Sequence, residues 1–444
     1  MTRWIHIVAM VAVLALQPIA ARAVTLLRDP DIEHALGILA RPVLDAAGLP
    51  SGSVKVLIVK DSSLNAFVVD DRHIFLHSGL ILKLKSAAAV QAVIAHEAAH
   101  IANGHLSRRP QNARASRSVA ALGLALAVAA TAAGADPSAA GGIAIGTTSS
   151  ADRVFKGHTR SEESSADASA IRYLATARID PHAFAEVLEL FRGQELLSEH
   201  RQDPYARTHP LSRDRLRAVK ALAASVQGKP ADSATADYWF ARAQGKLSAF
   251  LRAPNWTLRR AKDSPTADIR LMRQAVAYHR NSQTQKAISH IDKAIAARPK
   301  DPFLYELKGQ ILLESRKVKS AVAAYNRAAQ LAPRDALILG GQGRALLVSN
   351  QPKSALRVLE KARQRDYRNS AVLRDMGTAY AQIGRNGMAS LATAERYALR
   401  GDFKNALIHS KRASGLLPRG SAPWQRAQDV LSQAEIQAKK SKRK

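Results

Sequence analysis

The chain has 444 residues, 47% of them hydrophobic, which is more than one core normally encloses, so two or three domains are expected. Lys and Arg number 66 against 36 Asp and Glu, and the formal charge of +30 selects anionic partners: nucleic acid, acidic lipid or acidic protein. With no cysteine, the composition excludes disulfides, thiolate metal sites and a lipid-modified N-terminal Cys.

Residues 1–23 read as a signal peptide. Arg3 supplies the positive start, Ile5 to Leu16 the apolar core, and Ala21-Arg22-Ala23 a cleavage site, so the mature chain would begin at Val24. The apolar core is short for a membrane span. Export to the periplasm removes nucleic acid from the expected partners and leaves an anionic membrane surface or acidic clients.

Asp29, Pro30, Asp31 and Glu33 then form a helix start: a cap, a first-turn proline and acidic residues near the positive end of the dipole. That helix runs towards Ala47 and stops at Gly48-Leu49-Pro50. Val54 to Val59, Ala66 to Val69 and Arg72 to His77 are strand-like, being rich in β-branched and aromatic residues between turns. One edge of this small sheet could pair with an extended substrate, and Asn65, Ala66 and Phe67 are placed near it. His73 and His77 are read as strand-face residues rather than ligands.

The apolar run from Ser86 ends in His96-Glu97-Ala98-Ala99-His100. Without Gly or Pro it predicts a buried helix. Residues four apart lie one above the other, so His96 and His100 offer two imidazoles to one point. Neutral imidazoles suit Zn²⁺, one per chain, which wants a third protein ligand and one open position. Glu97, beside the first ligand, is placed as general base. Two helix histidines without metal are the alternative. His105, five residues beyond His100, is expected on a different face and read as no ligand.

Residues 118–148 are an apolar insertion, Val119 to Ala133 and Ala139 to Thr148 joined at Asp136-Pro137. Each half is too short to span a bilayer. A buried hairpin and a membrane-contacting hairpin both remain open.

A third ligand is sought in the helical stretch Arg160 to Ala170. Glu163 and Asp167 share a face there: Glu163 can bind zinc, and Asp167 can accept a hydrogen bond from the outer nitrogen of a ligand histidine. Glu162 competes, but the residue four beyond it is Ala166. His209, held before Pro210, is either a fourth metal contact, an oxyanion donor or a surface histidine, and Arg215 could add positive charge.

As a set, His96-Glu97-x-x-His100, Glu163-x-x-Ala166-Asp167, His209-Pro210 with Arg215, Asn65-Ala66-Phe67 and Ser78-Gly79-Leu80 resemble the exported HtpX/BepA-like zinc metallopeptidases related to the CAAX prenyl endopeptidase. The resemblance covers about residues 27–225. It implies a gluzincin site, with zinc on His96, His100 and Glu163 and Glu97 as base. It also implies that His209 sits on a loop able to fill the open zinc position and hold the enzyme latent.

Residues 226–267 read as a linker and an amphipathic helix. From about Asp268 a period of 34 appears: Ala275, Gly309 and Gly343; Ala287, Ala321 and Ala355; Ala294, Ala328 and Ala362. Small residues at these phases let paired helices cross closely, the tetratricopeptide pattern. Gly377 and Ala389 continue the phase, after which Ala394, Ala406 and Ala413 fall in a displaced register. Trp424 to Lys439 reads as a capping helix before a basic tail, 440–444.

The expected fold is α+β and mostly helical: a zincin-like metallopeptidase domain with a small β-sheet over 24–225, then an all-α tetratricopeptide solenoid over 268–439. Expected partners are unfolded or misassembled envelope proteins, with a membrane-bound assembly complex at the solenoid and peripheral membrane contact through 118–148. Two functions follow: a zinc endopeptidase of envelope quality control, or an assembly factor whose repeats do the work and whose protease is mostly latent.

Overall fold

The computed structural model describes residues 25–50, 52–106, 159–198 and 201–442; the signal-peptide stretch 1–23 and the insertion 118–148 lie outside the described residues. Helix α1 spans Pro30–Ala46 and starts as its sequence demands, Asp29 accepting from the amides of Asp31 and Ile32 with Pro30 in the first turn. Strands β2 (Lys55–Val59), β3 (Ala66–Asp70) and β4 (His73–His77) follow, and Leu26–Leu27 adds a two-residue β1 that the sequence reading did not anticipate.

The sheet order is β1-β2-β4-β3. β2 runs parallel to β4, Lys55 opposite His73 and Val59 opposite His77, while β3 pairs antiparallel with β4, Phe67 opposite Phe75. Parallel pairing buries β2, and Val56 to Val59 are all buried. β3 is thus the outer strand on one side, with Asn65, Ala66 and Phe67 at its start.

Helix α2 (Ser78–Lys83) leads to α3, Ala87–Ala102, capped by Ser86, whose hydroxyl accepts from the Ala89 amide at 3.1 Å. Every residue from Ala89 to His100 is buried. A helix apolar on all sides belongs in the centre of a core, and α3 packs against α1, β3 and β4 there. Helix α4 covers 159–176, α5 His182–Glu189, α6 Pro204–Thr208 and α7 Arg213–Ser225.

By compactness the described chain divides at Gly384 and Arg385. In the first unit, α8 (Ala234–Leu251) contributes Phe240, Ala243 and Leu247 to the core around α3 and Ala249 to the core of the following helices. The stretch expected to be linker and helix is therefore the piece both cores share. Helices α9 (Pro254–Arg260), α10 (Ala267–Arg280), α11 (Thr284–Ala297), α12 (Pro302–Glu314), α13 (Val318–Leu331), α14 (Ala336–Val348), α15 (Pro352–Arg365) and α16 (Ser370–Gln382) follow.

From α10 onwards these helices pack as successive hairpins. All six alanines at the two later phases, from Ala287 to Ala362, are completely buried. A Cβ on Gly309 would lie 2.7 Å from the Tyr325 ring, and one on Gly343 2.5 Å from Leu359, which is why those crossings need glycine. In the second unit, α17 (Asn386–Leu399), α18 (Phe403–Leu416) and α19 (Ala422–Lys442) share a small core of Leu391, Ala413 and Ala427. Ala389, the residue continuing the period, is only half-buried, while Ala394 is fully buried. The register jump seen in the sequence thus falls next to the boundary between units. The last helix runs to Lys442, beyond the expected Lys439.

Candidate metal centre

Four buried donors meet between α3, α4 and the turn after α6: His96, His100, Glu163 and His209. On α3, Nε2 of His96 lies 3.2 Å from Nε2 of His100. Glu163 of α4 brings Oε2 within 3.3 Å of His96 and Oε1 within 3.4 Å of His100. His209 closes the group, its Nδ1 lying 3.2 Å from His96 Nε2 and 3.0 Å from Glu163 Oε2. A tetrahedral ion with bonds of about 2.0–2.1 Å has donors about 3.3 Å apart, so this spacing fits one divalent metal.

The charges fit as well. Burial works against a charged His96, but Asp167 and Glu163 outweigh it and push the imidazole up to about 9. Burial and the neighbouring His96 push His100 down. Burial also raises Glu163, yet His209 and His96 hold it well below the usual carboxylate range. The site therefore demands positive charge at its centre. A metal can supply that charge in place of the proton on His96.

Asp167 faces the outer nitrogen of His96, with Oδ1 3.1 Å from Nδ1. Arg215, in the first turn of α7, fixes Asp167 through Nε at 2.5 Å and Nη2 at 2.8 Å. Its Nη1 reaches the carbonyls of His209 and Pro210, each at 3.2 Å, and Oε2 of Glu163 at 3.1 Å. One guanidinium thus ties the carboxylate-bearing helix to the His209 turn. His209 ends α6 at φ −127°, ψ 73°, because the proline after it disfavours a further helical residue. It is buried, so the surface-histidine alternative is set aside.

Glu97 is fully buried beside the donors, Oε1 lying 3.5 Å from Nε2 of His209. Glu162 is half-exposed and outside the cluster, whereas Glu163 is buried in it. At the sheet edge, Asn65 is buried with no hydrogen-bond partner for its side-chain oxygen, Ala66 is buried, and Phe67 stacks on Phe75. His73 pairs with Asp70 and His77 with Ser63, away from the donors.

Two contacts at the site escaped the sequence reading. His105 does not ligate, but its Nδ1 sits 2.9 Å from Nδ1 of His100, fixing the outer nitrogen of the second ligand. Gly104, at φ 69°, ends the helix and turns His105 back, so helical spacing was the wrong ruler. The other is Tyr205, fully buried, its ring 4.6 Å from His209 and 4.7 Å from Phe191. Burial and the nearby Glu97 push its phenol well above the usual range.

Residues 28–223 match Peptidase family M48. A Vibrio cholerae protein described as a beta-barrel assembly-enhancing protease is 28% identical over 253 residues, 51% of this chain and 50% of that protein. The beta-barrel assembly-enhancing protease of Escherichia coli K12 is 23% identical over 309 residues, 67% of this chain and 61% of that protein. The chain thus matches between half and about three-fifths of the length of these relatives. Among solved structures, MamA from Desulfovibrio magneticus RS-1 aligns with 37% of this chain and 95% of its own at 19% identity and TM-score 0.32.

Proposed function

We propose, from the premise that residues 28–223 are a peptidase domain of family M48, that the chain is an exported zinc endopeptidase. Its substrates are misfolded or misassembled envelope proteins, presented by the helical repeats. The observation that carries this reading is the buried His96, His100 and Glu163 triad with Glu97 beside it. Three such donors suit zinc, which supplies Lewis acidity to a scissile carbonyl. Glu97 takes the proton of the attacking water and delivers it to the leaving amine. Asp167, held by Arg215, keeps His96 in one tautomer, and His105 does the same for His100. The outer strand β3 aligns an extended substrate by backbone pairing. The relatives named for beta-barrel assembly support an envelope substrate and a periplasmic location. No helix among the described residues is long and apolar enough to cross a membrane.

Glu97→Gln keeps the metal donors and removes the base. The purified variant should retain metal at the wild-type ratio and cleave no casein. Residual casein cleavage by a clean preparation of that variant would sink the assignment.

His209 favours a second reading. Its Nδ1 takes the place a fourth ligand would take, so the resting enzyme is closed and the protein acts largely by holding clients. If Glu97→Gln fully rescues an envelope defect of a deletion strain, holding is the main function; if it does not, hydrolysis is. Truncation at Asp268 cannot separate the two, because Arg242 and Lys246 of α8 pair with Asp301 and Glu306 beyond that point.

A further inference from the structure

Two adjoining cavities, of about 860 Å³ and about 410 Å³, open where α1, α8 and the turns between repeats meet, and both are lined by His34, Arg334 and Asp335. The larger is an apolar cup with Trp239, Phe303 and Leu331 among its walls and Pro299 and Pro333 at the repeat turns. The His34 ring lies 4.8 Å from both Trp239 and Phe303, so the aromatic wall is built rather than incidental.

The charges around the cup are unbalanced. Its acidic groups are already engaged. Glu33 and Asp366 hold Arg28 at 2.5 and 2.6 Å, Asp301 holds Arg242, and Asp335 caps α14 through the amides of Leu337 and Ile338. Among the described residues, Arg41, Lys55, Lys300, Arg334 and Arg365 line the two cavities with no acidic group within 4.0 Å. Arg41, Lys55, Arg334 and Arg365 line the smaller cavity, and Arg334 with Lys300 the larger, so positive charge continues from one cavity into the other, which suits a string of carboxylates better than a single phosphate. The larger cup, walled by Trp239, Phe303 and Leu331, has room for an anchoring apolar residue together with the chain that flanks it.

We propose that this junction is the client-docking site, taking an extended acidic polypeptide segment whose apolar side chain seats in the cup against Trp239 and Phe303. The inference deepens the reading of the repeats as the client-holding part and is independent of peptide hydrolysis. Binding is therefore measured on the full chain carrying Glu97→Gln, with casein cleavage by the wild type assayed separately. The probe is a fluorescein-labelled dodecapeptide of Glu and Ser around one central Leu, beside versions with Gln for Glu, Lys for Glu, or Ser for Leu.

The Glu peptide should bind roughly tenfold or more tightly than the Gln and Ser versions, weaken with added salt, and shift the tryptophan emission, a shift that Trp239→Phe abolishes. Lys300→Glu with Arg334→Glu, both on exposed side chains, should weaken the Glu peptide by roughly tenfold and strengthen the Lys peptide. Equal binding of Glu and Gln peptides, or a charge-reversed chain that binds like its parent, overturns the proposal. So does capture of phosphatidylglycerol vesicles through Lys300 and Arg334 by a chain that ignores the Glu peptide. Loss of casein cleavage with peptide binding intact would remove the hydrolytic function and leave the docking site standing.

Discussion

Single side chains set the chemistry, and His209 is the one whose role the coordinates sharpen most. Its three readings differed in where the ring points, which spacing in sequence cannot fix, since α6 and α4 are joined only in space. Nδ1 lies 3.2 Å from His96 Nε2, and in the proposed closed state this ring takes the position that a substrate needs. His209→Ala should therefore raise casein hydrolysis several-fold while metal binds more weakly. A drop in hydrolysis at unchanged metal content would instead make His209 an oxyanion donor. By contrast, Glu163 over Glu162 was legible in the chain itself, because helical spacing puts Asp167 on the face of Glu163 and only Ala166 on the face of its neighbour.

Elements position those side chains through close backbone contacts. Ser78 and Gly79 pin the loop that feeds the outer strand: the Ser78 hydroxyl donates to the Asp61 carbonyl at 2.7 Å, as does the Gly79 amide at 2.8 Å. A Cβ on Gly79 would stand 2.1 Å from the Ser62 carbonyl oxygen and 2.6 Å from that of Ser63. Gly79→Ala should push this loop away and misalign Asn65 to Phe67. The expected result is a raised KM for a peptide substrate, with metal content intact; an unchanged KM would mean β3 does not position substrate. Strand identity was readable from residue type, but the order β1-β2-β4-β3 was not, since pairing partners are set by how the strands pack on α1 and α3.

At the scale of the whole molecule, α8 joins the core around α3 to the first helical hairpins through buried charge. Arg242 and Lys246 are 1% and 0% exposed. Lys246 pairs with Asp29 at 2.9 Å, and Arg242 with Asp31 at 2.8 Å and with Asp301. Removing one partner strands its buried counter-charges, so Lys246→Ala should cost about 3–5 kcal/mol in denaturant unfolding. Burial pushes Glu306 of α12 up to about 8, against the pull of Lys246 and with Asp29 and Asp31 adding to the rise. Across the window from 4.5 to about 8 the folded chain keeps a proton that the unfolded chain has released, so this stabilisation is complete at the acid end and lost as pH rises through about 8. Melting of the wild type should therefore decline more steeply between pH 5.5 and about 9 than that of Glu306→Gln. Parallel curves would show that Glu306 is ionised throughout.

The chain alone determined whatever repeats at short range: the imidazole pair on α3, the Glu163 and Asp167 face, the cap at Asp29, and the small residues recurring every 34 positions, which reappear as fully buried crossings. Tertiary structure alone decided what depends on distant segments meeting. It turned His105 onto His100, closed His209 over the donors, and made the amphipathic helix after the linker a part of two cores. Local periodicity reports which face of an element is apolar or carries donors; it holds no information about which other element that face will meet.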